Sequence, residues 1–236
     1  MHQQEEAYPL SWYKERIDYL SGFMLDSRFE TLCRALSHRT DYLTVMTENM
    51  YHAQNASAVV RHCEAFGVQN LHTVENLCPF QPTLNIALGT DKWIDIHHHA
   101  TTADALRHLK SEGYRIVATT PHKRSCTPET FDVAAGRFVL VLGTEKTGIT
   151  DEVMAEADDF LQIPMYGMVE SLNVSASAAI IIYMLTERMR REMPRSEWEL
   201  DEERYTKTLY RWCVESVKDS EALLNRGFGD PLADER

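Results

Sequence analysis

The sequence predicts an α/β protein built on an open parallel sheet with helices at both chain ends. Two observations point there. Short apolar runs of strand length recur along the chain, and the segments between them carry helical apolar spacing with capping residues at their ends. Strands that alternate with helices imply parallel pairing through helical crossovers.

Each element has its own signal. Ser11 stands where a first helix would be capped, with Trp12, Ile17, Leu20 and Phe23 at helical spacing. A second helix runs from about Arg28 to Leu36, with Phe29, Leu32 and Leu36 on one side. Leu43-Thr44-Val45-Met46 reads as a buried strand. Asn55 suits an N-cap and Gly67 a C′ position, which places a helix between them. Leu71-His72-Thr73-Val74 is a second strand. Thr102 to Gly113 forms a capped helix with Ala105, Leu106 and Leu109 inward. Strands follow at 114–119 and 137–143, the latter the most apolar of all. Thr150 caps a helix through Ala157, and Phe160-Leu161-Gln162-Ile163 is the last strand. A long helix runs from about Asn173 to Arg191, and a final one lies within 196–225.

Composition narrows the class. At 236 residues with 44% hydrophobic content, the chain can bury a substantial core. No apolar run approaches the ~20 residues that span a bilayer. The polar, acidic start at Met1-His2-Gln3-Gln4-Glu5-Glu6 does not read as a signal peptide. Cys33, Cys63, Cys78, Cys126 and Cys213 are odd in number and scattered, so a reduced cytoplasmic protein is expected. The net charge of −12 argues against a general nucleic-acid binder, but −9 of it falls in residues 151–236. RNA contact would therefore be local rather than broadly electrostatic. The Met193-Pro194 break divides a core at 41–193 from a helical appendage at 194–236, and a helical extension at 1–40 precedes the core.

Three separated segments carry the chemistry. In Asn55-Ala56-Ser57-Ala58-Val59-Val60-Arg61, Ser57 and Arg61 are four apart on one helix face. Arg61 can fork onto a phosphate or carboxylate, although a plain surface arginine would look the same. The strand ending at Gly143 enters Thr144-Glu145-Lys146-Thr147-Gly148-Ile149. That puts a ligand at the carboxyl end of a parallel sheet. The loop matches neither a P-loop nor a dinucleotide fingerprint, which disfavours a nucleotide triphosphatase. The third segment is Ile163-Pro164-Met165-Tyr166-Gly167-Met168-Val169-Glu170-Ser171-Leu172-Asn173-Val174-Ser175. It leads into a helix rich in small residues, which permits close backbone approach, and offers Ser171 and Asn173 as hydrogen-bonding groups.

Taken in this order, the segments resemble the three motifs of the TrmH-type branch of the SPOUT RNA methyltransferases. The similarity runs from about Leu43 to Arg190, and Gly89-Thr90-Asp91-Lys92-Trp93 and Ala118-Thr119 fit as intermediate markers. The wording is most similar to the members that methylate a D-loop guanosine of tRNA, and less so to the ribosomal RNA relatives.

The resemblance implies properties that periodicity does not reveal. The sheet would end in a deep C-terminal trefoil knot, a rare exception to the rules of chain connection. S-adenosylmethionine would lie in the knot against Thr119, Gly143, Ile163 and Leu172, with Met168 nearby. The partners would be tRNA or another structured RNA and a second copy of the chain, with no membrane and no metal. The reaction implied is methyl transfer to a ribose 2′-OH, with Arg61 orienting a backbone phosphate and assisting deprotonation across the dimer. Asn55, Glu145, Ser171 and Asn173 are the matching polar residues that would place Arg61 and the ribose.

Other residues invite different readings. His97-His98-His99 looks like a metal site, but neighbours on a strand point to opposite faces, which leaves a strand end or an RNA-facing loop. Cys63 reads as helix packing. His122-Lys123-Arg124 is either a solvated turn or a phosphate contact. Arg188-Met189-Arg190-Arg191 either binds RNA or favours the C-terminus of its helix. The acidic stretch from Pro194 onward matches no familiar extension. A ribosomal RNA 2′-O-methyltransferase is the enzymatic rival, and a silent RNA-binding or cofactor-sensing dimer the non-enzymatic one.

Overall fold

The computed structural model describes residues 8–82, 89–120, 126–144 and 147–229. They divide into two units. One holds the residues through Arg39 together with those from Leu200, and the other spans Thr40–Glu199.

The Thr40–Glu199 unit is a six-stranded sheet, all parallel, made of β1 (Leu43–Glu48), β2 (Asn70–Val74), β3 (Asp95–His99), β4 (Arg115–Thr119), β5 (Phe138–Leu142) and β6 (Asp159–Leu161). The strand order is β3-β2-β1-β5-β4-β6. Helices α3 (Ala53–Phe66) and α6 (Val174–Glu192) pack on one face, where Val59, Val60, Cys63, Ile181, Ile182 and Leu185 meet Val45, Leu71, Leu140 and Leu142. Helices α4 (Thr102–Ser111) and α5 (Asp151–Glu156) cover the other, where Ala105, Leu106, Leu109 and Val153 meet Met46, Ile116, Ala118 and Val141. A strand covered on both faces needs apolar residues at consecutive positions, which is why β1 and β5 read as unbroken runs.

The other unit contains α1 (Leu10–Ser21), α2 (Asp26–Leu36), α8 (Glu202–Ser216) and α9 (Ser220–Phe228), around Tyr13, Leu20, Leu36 and Trp212. A short α7 (Arg195–Trp198) belongs to the sheet unit. Part of the acidic stretch now has a local role. Asp201 caps α8 by accepting from the Arg204 amide at 2.7 Å, and Glu202 and Glu203 occupy the first turn, where negative charge is favourable.

Several expectations are corrected. The first helix begins at Leu10 behind Pro9, so Ser11 is not its cap, and Phe23 lies beyond its end and is exposed. Asn55 is not an N-cap either. Helix α3 starts at Ala53 behind His52, and Asn55 sits buried in its first turn. Of the two readings of His97-His98-His99, a strand end or an RNA-facing loop, the structure shows the strand: they close the edge strand β3, whose polar sequence carries no apolar run. The segment 196–225 holds parts of three helices rather than one. By contrast Thr150 caps α5, accepting from the Val153 amide, and Asn173, read only as a hydrogen-bonding group, caps α6.

Alternation along β3 separates the histidines. His97 and His99 stack with His72 on one face, at ring centroids of 4.6 and 5.3 Å, while His98 turns to Thr73 and Glu75 on the other. Among the described residues no group of His, Cys, Asp or Glu has the arrangement of a metal site. No described helix is long and apolar enough to cross a membrane.

Candidate active site

A crevice of about 620 Å³ opens beyond the carboxyl ends of β4, β5 and β6, where parallel α/β sheets bind ligands. Its size falls within the roughly 300–1,000 Å³ typical of small-molecule sites. Three stretches of chain wall it: Leu142–Thr144 with Thr147–Ile149, Leu161–Ile163 with Met165, and Glu170–Val174. Thr119 and Thr120 close one end, and Ser177 and Ile181 of α6 form the back.

The first wall is folded tightly on itself. Thr144 and Gly148 exchange main-chain hydrogen bonds of 3.0 and 3.1 Å, and the Thr144 hydroxyl accepts from the Thr147 amide at 3.0 Å. Gly148 has φ +69°, the left-handed region that favours glycine. Gly143 is required for another reason. A Cβ there would overlap the Gly148 carbonyl group and the Ile149 amide nitrogen, so only a bare Cα lets the two backbones approach.

The third wall ends in the cap of α6. The Asn173 side-chain oxygen accepts from the Ser175 amide at 2.9 Å, the Ala176 amide at 3.3 Å and the Ser175 hydroxyl at 2.6 Å. Its Nδ2 donates to Asn55 Oδ1 at 3.3 Å, which ties α6 to the first turn of α3. Ser57, next along α3, is fully buried and donates to the Ala53 carbonyl at 2.7 Å. Arg61 is exposed, so the two residues do not share an environment despite their spacing. Beside Arg61, His62 is held below the ordinary imidazole range, first by burial and then by the Arg61 charge, while a hydrogen bond to the Ser175 main chain works the other way.

Of the residues expected from the sequence, the crevice brings together Thr119, Gly143, Ile163, Ser171, Leu172 and Asn173. Asn55 reaches it through Asn173. Arg61 and Met168 are not among the lining residues, and Met168 is fully exposed on the connection before α6. Glu145 and the His122-Lys123-Arg124 segment lie outside the described residues. Reading the sequence missed Met154, Gln162 and Ser177; nothing in their local patterns separates them from packing residues. Arg188 and Arg190 have structural partners. Arg188 donates to the Pro128 and Phe131 carbonyls and pairs with Glu192, and Arg190 donates to the Phe66 carbonyl.

The lining combines apolar side chains, hydroxyls and strand-end main chain with two carboxylates, Asp151 and Glu170. It contains neither imidazole nor thiol among its described residues. Such a wall can hold a flat apolar group between aliphatic residues, satisfy polar edges with backbone groups and accommodate positive charge.

An open parallel sheet with a ligand crevice beyond its carboxyl ends defines an α/β small-molecule-binding enzyme class. Comparison with known proteins narrows this. Residues 42–183 match the SpoU rRNA Methylase family, and the chain belongs to that family and is a methyltransferase. It is 35% identical over 177 residues to the tRNA (guanosine(18)-2'-O)-methyltransferase of Borreliella burgdorferi, covering 75% of this chain and 81% of that protein. Its structure is similar to the Aquifex aeolicus TrmH/SpoU tRNA modifying enzyme, with a TM-score of 0.72 and 32% identity over 82% of this chain and 98% of that one. It is also similar to an AdoMet-bound rRNA methyltransferase from Sinorhizobium meliloti, with a TM-score of 0.57 and 25% identity over 69% and 61% of the two chains.

Proposed function

We propose that the chain transfers a methyl group from S-adenosylmethionine to the ribose 2′-OH of a guanosine in the D-loop of tRNA. The observation that carries this is the crevice itself. Its walls are the second and third sequence motifs, and Asn173 links them to the first through Asn55. The tRNA substrate is supported by the names of the Borreliella and Aquifex relatives.

When bound, S-adenosylmethionine supplies an electrophilic methyl on a sulfonium. The crevice suits it: Leu142, Leu161, Ile163 and Leu172 would sandwich the adenine, strand-end main chain would meet its polar edges, and Asp151 and Glu170 are the carboxylates that would offset its positive charge. A bound cofactor would supply the methyl with its methyl–sulfur bond breaking to leave S-adenosylhomocysteine, and as the C–O bond formed the 2′-hydroxyl proton would have to pass to an acceptor within reach. Arg61 takes the substrate phosphate next to this hydroxyl and positions it to receive the proton. Ser171, Asn173 and Glu145 hold the ribose, and Asn55 orients Asn173.

Arg61 does this for the crevice of a second copy of the chain. Its absence from its own crevice supports that arrangement. So does the exposed apolar surface of Ile180 and Tyr183 on α6 and of Tyr166, Met168 and Val169 before it, which suits a homodimer contact. In this arrangement Met168 comes near the cofactor only once the surface is covered. The segments that converge at the crevice form a deep trefoil knot, and the protein works in the cytoplasm. The catalytic core is the sheet unit, Thr40–Glu199, and helices before and after it in the chain make up the second unit.

The test is Arg61→Ala assayed with tRNA transcript and with ribosomal RNA fragments. Methylation of tRNA by the parent protein, its loss in the variant and unchanged cofactor binding are expected. Equal loss of cofactor binding overturns the role of Arg61, and preference for ribosomal RNA overturns the substrate.

A further inference from the structure

Glu48 ends β1 and is 0% exposed. Burying a carboxylate costs free energy unless donors replace the lost water. Here three do. Thr102 Oγ1 and Thr150 Oγ1 each donate to Oε1 at 2.8 Å, and the Thr150 amide donates to Oε2 at 3.2 Å. Both oxygens are thereby committed, and two of the three donors belong to one residue.

That residue closes the first wall of the crevice. Gly143 and Thr144 leave β5, Thr144 pairs with Gly148, and Thr150 caps α5, from which Asp151 and Met154 also line the crevice. The beginning of this wall is pinned by the close approach at Gly143. Its end is pinned by Glu48. If stability alone were at stake, an apolar residue could fill the strand end without the desolvation cost. Charge-assisted hydrogen bonds are shorter and stronger than neutral ones, and unlike apolar packing they are directional.

We infer that Glu48 is a positioning residue for the cofactor crevice, holding the Thr147–Ile149 part of its wall at the binding geometry through Thr150. The inference rests on the crevice being the S-adenosylmethionine site. The bond to Thr102 joins the same carboxylate to α4, away from the crevice, and serves the fold alone. The two sides of Glu48 can therefore be separated. Glu48→Gln is nearly isosteric but can set an amide against the Thr150 N–H. Thr150→Val removes one donor on the crevice side, and Thr102→Val the donor on the other.

The experiment is calorimetric titration of S-adenosylmethionine into the full chain and these three variants, with thermal melting of each. Glu48→Gln and Thr150→Val are expected to weaken cofactor binding by about tenfold, the scale of a lost hydrogen bond to a charged group. Thr102→Val should lower the melting temperature while leaving affinity within about twofold. Cofactor binding by Glu48→Gln equal to the parent overturns the inference and leaves the proposed function standing, as does an equal loss in Thr102→Val. A parent protein that binds no S-adenosylmethionine overturns both.

Discussion

Asn173 Nδ2 donates to Asn55 Oδ1 across 3.3 Å, so residues 118 positions apart share one hydrogen bond at the mouth of the crevice. The same Asn173 uses its oxygen to cap α6. One side chain therefore starts a helix and fixes that helix against α3.

These two duties separate in variants. Asn173→Asp keeps the capping oxygen and loses the donor. Its melting temperature should match the parent, while kcat/KM for methyl transfer falls by about tenfold, as for loss of one positioned hydrogen bond. Asn173→Ala loses the cap as well and should also cost roughly 1 kcal/mol of stability. Denaturant titration beside steady-state kinetics reads both.

Gly143→Ala should abolish cofactor binding. The added methyl would have to displace backbone at Gly148 and Ile149, which cannot yield as a flexible side chain would. Titration of the variant with S-adenosylmethionine checks this, and near-normal affinity would contradict the close approach.

Stability should fall in acid because of His72. Burial first, then the neighbouring His97, His99 and His108, lower its pKa from 6.5 to about 2. Between those values the unfolded chain binds a proton that the folded one does not. His72 should therefore remove about 1.4 kcal/mol for each pH unit below 6.5. Urea midpoints at pH 7.5, 6 and 5 should drop more steeply for the parent than for His72→Gln.

Arg188→Ala should destabilise the protein without weakening RNA binding. The guanidinium donates to the Pro128 and Phe131 carbonyls, each at 2.7 Å, and to Glu192. Its loss should cost about 1.5–3 kcal/mol, the range for hydrogen bonds to a charged group. Affinity for tRNA, read by filter binding, should stay within about twofold of the parent.

Much of the architecture was legible because the central strands are covered on both faces and their apolar runs are unbroken, as in Phe138–Leu142. Strand β3 was legible only in part, because an edge strand tolerates histidines that hydropathy reads as loop. The capping oxygen at Thr150 was readable from type and position, whereas Asn173 was read only as a hydrogen-bonding group. Asn55 was misjudged as a cap because the same side chain can accept from its own helix or from another, and local sequence does not distinguish them.

On its own, the sequence determined the parallel α/β pattern and named Gly143, Ile163, Leu172 and Asn173 as parts of one crevice. The pattern follows from short-range order, caps and apolar period, whereas those residues were named by resemblance to the family's motifs. Only the tertiary structure decided that Asn55 serves Asn173, that Glu48 anchors Thr150, and that Arg61 stands off its own crevice. Those relations join residues far apart in the chain, and only the folded sheet sets the distances between them.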